Sequence, residues 1–248
     1  MKTEALKELV AGLDLQTDLW WLAMILSGFL ATFLAAFGFR DAGSFFVYLA
    51  VLVRLAIAVG VSQQSFGLVF GRLLPFGLVT GVFALFGDHM LVNWRENGQR
   101  VYPDHSGVLL SSPIYLPLLW TCLVVEFGYM IVRIWGLAAT LVPGEAATGV
   151  AIVTGGVIAA IWTACTDFWA VKAGWWSYRS GRWILGGACA LYVVIAAFLI
   201  FCAFLPILVK YLSSPGSRLY ASVRYGAIFG VVIFFFYVAA HLLVEVSI

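Results

Sequence analysis

Seven apolar stretches, each about 20 residues long, fill this chain almost end to end. That length matches the hydrocarbon core of a bilayer crossed by an α-helix, about 30 Å at 1.5 Å per residue. In lipid a backbone must satisfy its own hydrogen bonds, which favours helices over open strands. Composition points to the same solvent: 63% of residues are hydrophobic and only 10% charged, where soluble domains carry about 25% charged residues. The expected fold is all-α, a polytopic transmembrane helical bundle of about seven spans. Residues 1–18 form an amphipathic N-terminal segment and residues 19–248 a single transmembrane domain. The spans read as Leu19–Phe39, Phe45–Ser62, a stretch within Gly67–Trp94, Pro113–Leu137, Ala146–Trp169, Trp183–Lys210 and Val223–Val244.

The N-terminus carries acidic and basic residues together, unlike a cleaved leader with a basic start running into an apolar core. Leu6, Leu9, Val10 and Leu13 recur at helical spacing, so Thr3–Leu13 is expected to lie as a surface helix against the membrane interface. Most links are short and rich in Gly, Pro or Ser, making sequential helices antiparallel neighbours. The long, polar exception is Arg95–Ser112. Small-residue spacings at Gly67/Gly71, Gly226/Gly230 and Gly155–Gly156 predict close helix contacts, with oligomerisation a further use of such surfaces. Lys and Arg divide almost evenly between the two sides, so charge does not choose an orientation.

The net charge of +2 is spread out, with no basic cluster of the kind that binds nucleic acid. Cys122, Cys165, Cys189 and Cys202 all fall in apolar runs and form no CxxC or Cys/His ligand spacing, so no metal or cofactor is expected. The last span lacks the lysine that a retinal Schiff base needs. The three histidines, His89, His105 and His241, are too few for a di-iron desaturase and ill-matched to paired haem ligation.

A charge near the bilayer centre costs about 2.5–3.5 kcal/mol on insertion scales, so it needs a partner, a cavity or a function. Helix counting gathers the exceptions. With seven spans, odd-numbered ones end on the side that holds the C-terminus, the far side. Asp88, His89 and Asn93 lie near the far end of the third span, Asp167 near that of the fifth, and His241 near that of the seventh, with Glu245 just beyond. The long loop, with Tyr102, Asp104 and His105, is on that side too. Arg54 and Glu126 lie deeper and are natural counter-ions. They read either as a structural pair or as a buried acid with a neighbour. Asp167 has Lys172 and Arg179 as alternative partners, and His89 and Asn93 share a helix face. Trp175, Trp176 and Tyr178 follow Asp167 closely. They suit either an interfacial aromatic belt or a pocket that shields a cation.

This arrangement of an acid ahead of an aromatic cluster, Asp167 to Tyr178, in a seven-helix chain of this size resembles the membrane-integral carotenoid cyclase and carotenoid hydratase group. It also resembles the small seven-helix terpene cyclases of meroterpenoid pathways. The resemblance covers topology over most of the chain and Asp167–Tyr178 at motif level; the paired acids after a proline of the lycopene cyclases are absent. It implies acid-initiated cyclisation or hydration of an isoprenoid-like substrate. Glu126 and Asp167 are then candidate acids and Asp88 or His89 the base. Arg54, Asn93, Trp175, Trp176, Tyr178 and His241 would contact substrate. A non-catalytic subunit packed against partner proteins or pigments, and a small-solute or proton carrier, stay open beside it. Expected partners are membrane lipids, a hydrophobic small molecule, and membrane proteins or further copies of the chain. The expected location is a bacterial inner membrane.

Overall fold

The structure, a computed structural model, describes residues 4–93, 99–103, 108–179 and 183–246. Seven helices long and apolar enough to cross a membrane make up nearly all of it. The protein is a multi-pass, all-α membrane bundle. A short helix α1 (Glu4–Ala11) precedes the spans α2 (Leu15–Gly38), α3 (Gly43–Ser62), α4 (Leu68–Asn93), α5 (Tyr115–Leu141), α6 (Gly144–Lys172), α7 (Leu191–Leu212) and α8 (Arg218–His241). A π-helical turn, Leu242–Val246, extends α8.

Helix α5 is the central element, buried along most of its length. Around it α4 packs against α8 as well as α5, and α6 against α7. The α4–α8 contact joins helices far apart in sequence, and Gly230 makes it close: a Cβ there would sit 2.3 Å from the Cβ of Phe83. Gly226 meets Val79 and Phe76 the same way, so this small-residue pair packs helices within one chain. Gly67 has another use. It lies in the turn before α4, where a Cβ would collide with the carbonyl oxygen of Val61 at 1.7 Å.

Three elements depart from the sequence reading. Helix α1 packs against α5 and α7, with Leu6 and Leu9 fully buried and Val10 against Gly136. The apolar spacing was real, but its partner is the end of the bundle rather than the interface. The first span also begins earlier than Leu19, at Leu15, because the Asp14 side chain caps the helix by accepting from the Thr17 backbone N–H at 2.7 Å. The sixth span begins later than Trp183. Its expected first turns form a small antiparallel hairpin, Ile184–Leu185 with Cys189–Ala190. Gly186 and Gly187 turn it with φ of +57° and +71°, the left-handed region glycine enters without strain.

Two far-side loops are tied together. Strand β1 (Gln99–Val101), from the α4–α5 connection, pairs antiparallel with β4 (Ser177–Arg179), and β4 lies between α6 and α7. A second hairpin pairs β2 (Val108–Leu109) with β3 (Ser112–Pro113). These strands cover the far end of the bundle. Trp94, Arg95, Asp104, His105 and Arg182 lie outside the described residues.

Candidate functional site: a far-side cavity and its buried ion network

Helix α4 delivers Asp88 to the far end of the bundle and α6 delivers Asp167. The β1–β4 pairing places Arg100 between them, opposite Tyr178 in register. Arg100 Nη1 donates to Asp88 Oδ1 at 3.1 Å and Nη2 to the Tyr178 hydroxyl at 2.8 Å. Its guanidinium lies 5.2 Å from the Trp176 ring centre and 5.5 Å from that of Tyr178, a cation–π arrangement. The Tyr102 hydroxyl gives a second bond to Asp88 Oδ1 at 2.7 Å, and Ser112 donates to Oδ2 at 2.5 Å. Asp88 is therefore closed by three donors.

The Tyr178 hydroxyl passes its hydrogen to Asp167 Oδ2 at 2.5 Å. Burial opposes the charge of Arg100, but Tyr178, Tyr102, Asp88 and Asp167 around it outweigh that and hold the guanidinium firmly cationic. Burial pushes the Tyr178 and Tyr102 phenols well above their ordinary values, so both keep the proton they donate.

Beneath this network lies a cavity of about 120 Å³. A buried water needs about 10–15 Å³ of such space, so the cavity admits about 8–12 waters, comparable in bulk to a short prenyl chain. Asp167 and Arg100 line it towards the far side and Arg54 lines it from α3. The rest of the wall is mostly apolar and rich in aromatic rings, among them Phe29, Trp120, Phe127, Trp162 and Phe201 with Trp175 and Trp176, while Thr32, Thr163, Thr166 and Tyr237 add hydroxyls. Phe29 and Trp162 meet edge to face at 4.9 Å and are partly exposed, so this pair stands where the cavity approaches the bundle's flank. Arg100 Nε and the Trp175 and Trp176 indole nitrogens are buried without an acceptor among the described residues. Each unpaired buried donor costs about 1–3 kcal/mol.

Arg54 and Glu126 form the pair their depth suggested. Arg54 Nε donates to Oε1 at 2.7 Å and Nη2 to Oε2 at 2.5 Å, a two-pronged bond between residues 6% and 2% exposed. Gly28 leaves the room, since a Cβ there would stand 3.3 Å from Arg54 Cδ. On the opposite face of the membrane Arg133 pairs with Asp18, and Tyr129 donates to Asp18 at 2.6 Å. Trp21 stacks on Tyr129 and donates to the Glu126 carbonyl at 2.9 Å.

Of the residues singled out in the sequence, Arg54, Asp167, Trp175 and Trp176 line the cavity, and Tyr178 holds Asp167 from behind it. Asp88 and Glu126 are buried beside it but engaged with Arg100 and Arg54. His89 and Asn93 pair with each other at 3.1 Å on the outer side of α4, one helical step away from inward-facing Asp88. His241 is buried against the Tyr192 ring at 5.0 Å and does not line the cavity. Asp167 is bonded by Tyr178 rather than by Lys172, which lies over the Phe168 ring. Sequence reasoning missed Arg100, Ser112, Trp120 and Trp162. An arginine in a polar loop gives no hydropathy signal, and only the non-local strand pairing brings it inside. Among the described residues no three His, Cys, Asp or Glu side chains are grouped to hold a metal ion.

A helical membrane bundle with a partly open, aromatic-rich cavity and a buried ion network is the class these features define. Residues 85–244 match a family model described as a domain of unknown function, DUF6989. That is well over half of the chain, which belongs to this family. The matched region contains Asp88, Arg100, Glu126, Asp167 and Tyr178; Arg54 and Gly28 lie ahead of it. No curated protein and no solved structure matches the chain.

Proposed function

We propose that the chain is a membrane-embedded enzyme that holds an isoprenoid-like substrate in the far-side cavity and starts its reaction with a proton from Asp167. The observation that carries this reading is a carboxyl, Asp167, lining a cavity whose wall is otherwise mostly apolar and rich in aromatic rings. Tyr178 receives a hydrogen bond from Arg100 and gives its own hydrogen to Oδ2, which leaves Oδ1 as the oxygen that would carry the transferable proton. Transfer of that proton to a carbon–carbon double bond leaves a carboxylate on Asp167 and a cation on the substrate. The faces of Trp120, Trp162 and Phe127 would stabilise the cation, by about 0.5–2 kcal/mol per favourable ring. Cyclisation joins the cationic carbon to a second double bond, moves the charge to that bond's other carbon and loses a proton from the carbon next to it; hydration adds water to the cationic carbon and loses a proton from the oxygen. In both, the Asp167 carboxylate takes the proton back. Asp88 and His89 do not line the cavity, so they are not assigned the base's role. The carotenoid-cyclase-like chemistry and a bacterial inner-membrane location belong to this proposal, the latter because that membrane houses helical bundles with short loops.

The test compares wild type with Asp167→Asn in a host that makes polyisoprenoids, by extraction and mass spectrometry of the lipids. Wild type should yield an isomeric or hydrated product. The variant should lose about 10²–10⁴-fold in its formation, the usual contribution of a positioned acid. Equal product from both would overturn the reading.

One observation favours a second reading, a proton or small-solute carrier. Polar side chains continue from the cavity through Arg54–Glu126 to Tyr129, Asp18 and Arg133 near the other side. Trp21 stands in that line against Tyr129. Proton flux in proteoliposomes that rises with Trp21→Ala would support the carrier.

A further inference from the structure

The far-side end of the cavity is built from donors with nothing to donate to. Arg100 Nε, Trp175 Nε1 and Trp176 Nε1 have no acceptor among the described residues. The three side chains, 6%, 6% and 8% exposed, line the same cavity. Asp167 lies beside Trp176 and Tyr237 beside Arg100, but neither stands in good hydrogen-bond geometry to the unpaired nitrogens. Three such donors on one wall call for an oxygen acceptor from a ligand.

The surrounding charges narrow the class of that ligand. Arg100 is offset by Asp88 and Arg54 by Glu126. Asp167 is the remaining carboxyl on the cavity. An anionic ligand would bring an uncompensated negative charge into a poorly screened space whose two arginines are already paired. An amine brings donors to a wall of donors. A hydroxyl accepts but carries a hydrogen of its own to be satisfied, whereas a carbonyl oxygen is acceptor only, with two lone pairs. A bare hydrocarbon leaves all three N–H groups unpaired.

We propose that the cavity takes a neutral hydrophobic molecule bearing a carbonyl oxygen. The oxygen sits toward Arg100, Trp175 and Trp176, and the hydrocarbon body lies among Phe29, Phe127 and Trp162. This rests on the cavity being the substrate site proposed above and adds the polar group that is recognised. Anchoring the oxygen at one end also fixes which carbon of the chain reaches Asp167.

Three prenyl probes of similar length test it with the full-length protein in lipid nanodiscs: farnesylacetone, a neutral ketone; farnesene, a hydrocarbon; and farnesoic acid, an anion. Equilibrium binding should favour the ketone over both others, by about tenfold over the hydrocarbon. Trp175→Phe and Trp176→Phe keep a ring but remove the N–H. Each should lower the ketone-to-farnesene affinity ratio about 2–10-fold, and continued farnesene binding reports an intact cavity. Three results overturn the inference while leaving the cavity reading in place. One is equal affinity for farnesene and the ketone. Another is tighter binding of farnesoic acid. The third is a ketone-to-hydrocarbon ratio that neither Trp substitution changes, as when ordered water already satisfies the donors. Failure of all three probes to bind overturns both.

Discussion

Glu126 and Asp167 are both carboxyls sealed inside the bundle, 2% and 4% exposed, yet they are held in opposite ways. Both oxygens of Glu126 are taken by one guanidinium, that of Arg54. Charge and hydrogen-bonding capacity close on each other. Asp167 is bonded by a neutral phenol, Tyr178, and the Arg100 cation behind that phenol is already shared with Asp88. Its carboxyl lines a cavity. Burial alone therefore does not mark an acid for chemistry. The partner decides: a forked ion pair fixes a carboxylate, whereas a hydroxyl partner tolerates either protonation state.

The sharpest way to break this comparison is to neutralise each acid in turn. Glu126→Gln leaves Arg54 charged and buried without a counter-ion, and losing one member of a buried pair costs about 3–5 kcal/mol. Its melting temperature in detergent should fall steeply. Replacing both members together, Arg54→Met with Glu126→Leu, should recover most of that loss, because no orphaned charge remains. Asp167→Asn keeps an acceptor for the Tyr178 hydroxyl and should melt close to wild type while product formation collapses. Equal destabilisation by Glu126→Gln and Asp167→Asn would mean that both acids are structural ties.

This contrast was half legible in the sequence. Arg54 and Glu126 announce themselves because each interrupts a long apolar run at similar depth, and opposite charges there have few other partners. The seven spans were legible for the same reason, hydropathy over a bilayer's length. The surroundings of Asp167 were not. Tyr178 was visible only as part of an aromatic cluster, and Arg100 sits in a polar stretch where an arginine is unremarkable. Their meeting depends on the β1–β4 pairing, a contact between loops 78 residues apart at Arg100 and Tyr178. Span ends were blurred where local caps and turns overrule hydropathy, at Asp14 before α2 and at Gly186–Gly187 before α7. Asp88, His89 and Asn93 were gathered by depth, but adjacent helix positions point about 100° apart. Asp88 consequently joined the ion network while His89 paired outward with Asn93.

The opposite end of the bundle sharpens the comparison from the apolar side. There α1 is held by leucines rather than by charge, with Leu6 and Leu9 both fully buried. Leu6→Ala should cost about 2–5 kcal/mol, the range for deleting a core leucine without collapse of the space around it. Thermal melting in detergent measures it. Ketone and hydrocarbon binding at the far-side cavity should keep their ratio, because no residue of α1 lines it. A changed ratio would show that the two ends are coupled through α5, which α1 packs against.

Asp14 extends the series to a carboxyl in water and should give the smallest effect. It is exposed, and the Thr17 hydroxyl and then the Thr17 backbone N–H, at 2.5 and 2.7 Å, lower its pKa. A carboxyl whose folded pKa lies below its unfolded value, about 3.9, contributes stability that is fully present above that value. The contribution disappears as pH falls through the folded pKa. Asp14→Asn keeps an oxygen that can cap α2 but does not titrate. The melting temperature of wild type relative to Asp14→Asn should hold steady from pH 7 to about 5 and decline below about 4. Parallel curves across that range would show that the Asp14 charge adds nothing to the cap. The carboxyls of the bundle would then matter to folding only where, as at Glu126, water cannot reach them.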